Sequence, residues 1–98
     1  MAAESAARKS VRVRIRGRVQ GVWYRAWTVE AAAAHGVTGW VRNRRDGSVE
    51  ALFMGEAAAV DALIVACREG PELARVDAIE ITEDAGEATD GFEQRPSA

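Results

Sequence analysis

VRVRIRGRVQGVWYRAWTVEAAAAHG, residues 11–36, decides the fold. Val11, Val13 and Ile15 alternate with Arg12, Arg14 and Arg16, the two-residue period of a strand with one face buried and the other wet. Gly17 to Gly21 breaks that alternation. Ala26 to Ala34 then has the alanine content of a helix, closed by His35 and Gly36, the latter suited to the left-handed conformation that ends helices. A strand, a glycine-bounded loop and a helix in this order make the first half of a βα unit.

Working outward, Val37 to Asn43 is rich in β-formers, Arg44 to Gly47 carries an Asp-Gly turn signal, and Ser48 to Met54 resumes as a strand, which predicts a hairpin. After Gly55, the residues Val60, Leu63, Ile64 and Cys67 fall at i, i+3, i+4 and i+7. They lay one apolar stripe along a second helix that ends before Gly70 and Pro71. Val76 to Glu83 reads as a fourth strand, the acidic stretch Asp84 to Asp90 as a loop, and Gly91 to Arg95 as a short fifth strand. The order strand, helix, strand, strand, helix, strand predicts an α+β fold, a ferredoxin-like split βαβ sandwich. Its sheet is antiparallel, with four to five strands and both helices on one face. A right-handed crossover makes the first two strands parallel with the third between them, so their C-terminal ends share one edge. The loop after the first strand and Asn43 therefore meet across two strand spacings, roughly 10 Å, room for a phosphate-sized group and a water.

The chain's 98 residues, 48% of them hydrophobic, supply one core and leave no room for a second domain. Residues 1–10 read as a flexible N-terminal lead and residues 11–95 as the domain. The lead lacks the apolar stretch of a secretory signal, and no apolar run reaches the ~18–20 residues that span a bilayer, so a cytoplasmic protein without membrane contact is expected. Cys67 is the single cysteine, which excludes an internal disulfide and a cysteine metal cluster. Residues 1–50 carry ten Lys plus Arg against four Asp plus Glu, net +6, while residues 51–98 carry three against eleven, net −8. The overall charge of −2 argues against bulk nucleic-acid binding. The basic half either holds a small anion or attracts the acidic half on folding.

Candidate chemistry concentrates in GRVQGVWYR, residues 17–25. Its glycines allow the positive φ angles by which successive N–H groups face one point, and the following helix adds the positive end of its dipole. The segment has neither the Lys-Ser/Thr of a P-loop nor the spacing of a dinucleotide fingerprint, so on pattern it is an anion nest or an ordinary turn. Arg25 sits where a cation opposes the helix dipole; it is either a solvated surface residue or the partner of a bound anion, whose oxygens a guanidinium fork can hold in pairs. Asn43 closes a strand, as the first residue of a turn or as an amide that orients a water without titrating. His35, at a helix end, and Cys67, in the apolar stripe, read as structural. No Ser/His/Asp set and no ligand cluster is present, so nucleophilic and metal mechanisms lack parts.

Taken together, GRVQGVWYR (17–25) and GWVRNRRDGSVE (39–50) resemble the acylphosphatase family, a match that extends as a pattern over roughly Val11 to Val76 and includes Gly70-Pro71 and Ala74-Arg75-Val76. The resemblance implies a small ferredoxin-like enzyme that hydrolyses carboxyl phosphates to a carboxylate and inorganic phosphate, without metal or cofactor. By position, Arg25 would bind the phosphate, Asn43 would orient the attacking water, and Val19, Gln20, Gly21, Val22, Trp23 and Tyr24 would form the backbone cradle. The substrate would be a small-molecule acyl phosphate, with inorganic phosphate as product and inhibitor, no nucleic-acid or membrane partner, and a monomeric protein. Tyr24 stands where the family usually has Phe, Trp23 fills a variable position, and Arg44 and Arg45 make the hairpin turn more basic than in many members. Two other classes compete. An RNA-binding sheet would need aromatics on the first and third strands, which show no stacking platform. A regulatory domain that keeps the fold without turnover is separated only by assay.

Overall fold

The computed structural model describes residues 7–86 and 89–98. The arginine-valine alternation becomes β1, Arg8–Arg18, with Val11, Val13 and Ile15 buried and the intervening arginines half-exposed. This strand starts three residues before the stretch legible from periodicity. Arg8, Lys9 and Ser10 pair with Glu56, Gly55 and Met54 of β3, so they belong to the sheet and not to a flexible lead over residues 1–10. Residues 1–6 of that expected lead lie outside the described residues.

After β1 come α1 (Tyr24–His35), β2 (Thr38–Asn43), β3 (Val49–Glu56), α2 (Ala57–Cys67), β4 (Arg75–Glu83) and β5 (Phe92–Gln94). The strands form one sheet in the order β4-β1-β3-β2-β5. β3 lies between β1 and β2 and is antiparallel to both, and β4 is antiparallel to β1. β5 runs parallel to β2, which makes the five-stranded sheet mixed instead of wholly antiparallel. The architecture is the expected α+β sandwich. Gly36 caps α1 at φ 69°, and the N–H groups of Gly36 and Val37 return to the carbonyls of Ala33 and Ala32.

One sheet face is covered by both helices. Val13, Ile15, Val41, Ala51 and Phe53 pack there against Tyr24 and Ala32 of α1 and Val60, Leu63 and Cys67 of α2. Burying a side chain of this size contributes about 1.5–3 kcal/mol, so this layer fixes where α1 begins and therefore where the loop before it lies. The other face is covered by arginine stems. Trp40 is buried beneath the guanidiniums of Arg42, Arg95 and Arg12, at 4.8, 5.0 and 5.6 Å from its ring. Glu50, 2% exposed, accepts from Arg42 at 2.8 Å and from Arg12 and Arg44 at 3.2 Å.

Where β1 leaves the sheet its register slips against β4 between Arg16 and Gly17. Gly17 has φ 129°, and a Cβ there would fall 2.2 Å from the Arg75 carbonyl oxygen, so only glycine admits this approach of two backbones. The slip turns the chain off the sheet and into the loop.

Candidate active site

Three side chains pin the loop that follows β1. Val19, Val22 and Tyr24 are buried at 1, 7 and 1% exposure, so their side chains are spent on the core. The Tyr24 hydroxyl donates to the Cys67 carbonyl at 2.5 Å, and burial pushes its pKa up. Between these anchors, Gly21 has φ 75° and Trp23 has φ 69°, ψ 17°. Trp23 is the sole positive-φ residue among the described residues that is not glycine, a conformation that costs a bulky side chain about 1–2 kcal/mol.

The backbone here is left open. From Gln20 to Arg25, six consecutive N–H groups find no acceptor among the described residues. α1 begins with no side-chain cap and no acidic residue in its first turn. Unpaired donors at a helix N-terminus, with the dipole's positive end behind them, are chemically suited to an anion. Arg25, half-buried in that first turn, has no carboxylate partner among the described residues; Arg12, Arg14, Arg16, Arg42 and Arg44 are paired, and the other arginines without such a partner, Arg8, Arg18, Arg45 and Arg68, are exposed. A half-buried cation placed against the dipole is an arrangement that a bound anion would favour.

Val19, Gly21, Trp23, Tyr24, Arg25 and Ala26, together with Gln94 of β5, line a pocket of about 380 Å³. Five of the eight residues singled out by sequence therefore meet in one cavity. Val22 belongs to the same loop but is not part of the lining, its side chain being buried in the core. Gln20 turns its side chain the other way, and its Nε2 donates to the carbonyls of Arg44 at 2.7 Å and Ser48 at 2.9 Å. That clamp ties the loop to the β2–β3 turn.

Asn43, the last residue of β2, lies outside the pocket lining, at the strand end to which Gln20 is clamped. Its main chain is held, since the Asn43 carbonyl accepts from the Ala98 N–H at 3.0 Å. Its side-chain Oδ1 is buried and has no partner among the described residues. A buried acceptor without a donor is costly, about 1–3 kcal/mol, unless a water or ligand supplies the hydrogen. The turn beyond it is pinned by Asp46, whose Oδ1 accepts from the Ser48 hydroxyl at 2.6 Å and the Ser48 N–H at 3.0 Å. These bonds, helped by Arg14 and Arg16, bring the Asp46 carboxyl down to about 2.

Gln94 escaped sequence reading because β5 is three residues long and follows an acidic loop. A signal existed in the period of two. Phe92 packs on Phe53 with ring centroids 5.8 Å apart, which puts Gln94 on the same, helix-covered side of the sheet. His35 is structural, its Nδ1 2.8 Å from the Ala31 carbonyl oxygen. Cys67 is 1% exposed, and burial pushes its thiol up to about 12, which removes it as a nucleophile. Among the described residues no group of three or more His, Cys, Asp or Glu is placed to hold a metal ion, and no helix is long and apolar enough to cross a membrane.

Residues 11–94 match the family model described as acylphosphatase. An acylphosphatase of Rhodospirillum rubrum is 58% identical over 89 residues, covering 91% of this chain and 98% of that protein. An acylphosphatase of Rhizorhabdus wittichii is 51% identical over 86 residues, covering 88% and 87%. Among solved structures, an acylphosphatase from Coxiella burnetii superposes with a TM-score of 0.87 at 30% identity, covering 97% of this chain and all of that one.

Proposed function

The chain belongs to the acylphosphatase family, hydrolases that act on acyl phosphates, and from that premise we propose how its own residues carry the reaction. The substrate's phosphate rests in the Gln20–Arg25 loop, its oxygens accepting from main-chain N–H groups, and the Arg25 guanidinium holds two of them side by side. Asn43 orients a water, its Oδ1 accepting one of the water's hydrogens and aiming the lone pair at phosphorus. The P–O bond to the acyl group breaks as the new P–O bond forms, and the water's proton passes to a phosphate oxygen of the substrate. The acyl oxygen leaves as a carboxylate whose conjugate acid has a pKa near ~4, so no general acid is called for. Catalysis is then positioning and charge stabilisation, the two things this site's donors supply. Inorganic phosphate, the product, competes for the same loop. In this reading the protein is a cytoplasmic monomer that acts on a small molecule and uses neither metal nor cofactor.

The row of six unpaired N–H groups beside an unpaired arginine is the observation that carries the proposal. Phosphate release from benzoyl phosphate, compared with a phosphomonoester and run in chelator, tests it. The expected result is selective, chelator-resistant turnover that Arg25→Gln abolishes while the far-ultraviolet circular dichroism stays that of the parent. A folded Arg25→Gln variant with near-parental turnover would overturn the assignment of Arg25, and dependence on an added divalent ion would overturn the metal-free mechanism.

A further inference from the structure

The pocket is larger than the group the loop is built to hold. At about 380 Å³ it lies in the range of small-molecule sites, ~300–1000 Å³, whereas a phosphate has five heavy atoms. The remainder of its wall is Trp23, Ala26 and Gln94, all exposed, and among the described residues no carboxylate lines it. Trp23 is the residue that neither packing nor backbone preference explains. Its side chain is 77% exposed and takes no part in the hydrophobic core, and its backbone is left-handed, where glycine would sit without strain. A bulky aromatic kept in a disfavoured conformation at the mouth of a pocket points to use by a ligand.

Building on the hydrolysis proposed above, we infer that Trp23 selects the acyl group: its indole is the platform for a neutral aromatic acyl chain, with the Gln94 amide at the ring's edge, so aromatic acyl phosphates are preferred over short aliphatic ones. The phosphate end is common to every acyl phosphate and is read by main chain, so selection between substrates falls to side chains on the rim. Among these, Trp23 has the surface to make it. Trp23 is thus a specificity residue, distinct in role from Arg25 and Asn43.

The test compares kcat/KM for benzoyl phosphate and acetyl phosphate in the parent, Trp23→Gly and Trp23→Phe. Trp23→Gly tolerates the left-handed backbone, so folding is not at risk, and the ratio of the two substrates cancels any change in the loop's hold on phosphate. The ratio should fall roughly 2- to 12-fold in Trp23→Gly, the worth of one aromatic pair, and recover for the most part in Trp23→Phe. An unchanged ratio in Trp23→Gly overturns the inference while leaving hydrolysis intact. A parent that turns over neither substrate overturns the hydrolysis reading, and the inference falls with it.

Discussion

Replacing Gly21 by alanine adds a methyl group where nothing lies within 4 Å of the new carbon, so any effect of the substitution must come through the backbone. Gly21 has φ 75°, and an L-residue held there is disfavoured by about 1–2 kcal/mol. That strain has two outlets. If the loop keeps its shape, the folded state bears the whole amount, and the melting temperature falls by roughly 4–16 °C at ~4–8 °C per kcal/mol for a domain of this size. If the loop relaxes instead, stability is kept but the N–H groups turn from the anion, and phosphate affinity drops by about 5- to 30-fold. Thermal unfolding without phosphate reads the first outlet and competitive inhibition by inorganic phosphate reads the second. The two losses, both expressed as free energy, should sum to about 1–2 kcal/mol. Gly21→Val should lose more, because a β-branched side chain resists positive φ further. A Gly21→Ala variant with parental melting temperature and parental phosphate inhibition would refute the nest account of this loop.

Asn43→Ala should lower kcat by about 10²-fold or more and leave inhibition by inorganic phosphate near parental, since it removes a positioned water and no phosphate contact; weaker inhibition at unchanged kcat would make Asn43 an anion ligand instead. Gln20→Ala should lower stability by about 0.5–1.5 kcal/mol in urea unfolding, because the Arg44 and Ser48 carbonyls each lose one of two donors and keep the N–H groups of Gly47 and Arg44, and kcat should fall with it as the loop and the Asn43 strand end come uncoupled; an unaltered kcat would show that the clamp is only structural. Glu50→Gln should lose about 1–3 kcal/mol at pH 7, measured by urea unfolding, because four arginines keep only a neutral partner. Burial pushes the Glu50 carboxyl up, but the Arg42 hydrogen bond and the charges of Arg42, Arg44 and Arg12 outweigh it and leave the group below its ordinary value of 4.5. Its stabilisation is therefore complete above pH 4.5 and fades as pH falls through the lower folded value, so the parent's stability should drop on that acid limb and the variant's should drop less.

Local periodicity made most of the sheet legible, because β1 has one buried face and α2 one apolar stripe. β3 did not announce itself so clearly. Val49, Glu50, Ala51, Leu52 and Phe53 are all buried, since the central strand is covered by helices on one side and by Trp40 and arginine stems on the other. A buried Glu50 cannot be read from alternation; it follows from four arginines that three separate segments bring together. α1 starts at Tyr24, two residues before the alanine-rich stretch, because the Tyr24 ring is drawn into the core and fixes the first turn. In the candidate site, Arg25 and the loop could be singled out from residue type and position. The left-handed Trp23 was not, since propensity would place glycine there. Gln94 was hidden because the parallel pairing of β5 with β2 depends on contacts made 53 residues away in the chain.

Recognition by main chain has a consequence for how this site tolerates change. A side-chain ligand is lost by any substitution, but an N–H group is present in every residue except proline. In the proposed mechanism the grip on phosphate is therefore stored in the path of the backbone, fixed from below by Val19, Val22 and Tyr24, and the outward-facing identity of position 23 is free to vary without touching it. Proline at position 20 or 22, whose φ angles are not positive, would delete a single donor, which no conventional alanine scan of the loop can do, whereas at Gly21 and Trp23 the left-handed backbone excludes it. Reshaping the enzyme toward a new acyl group then becomes a matter of redecorating a rim whose foundation is already set.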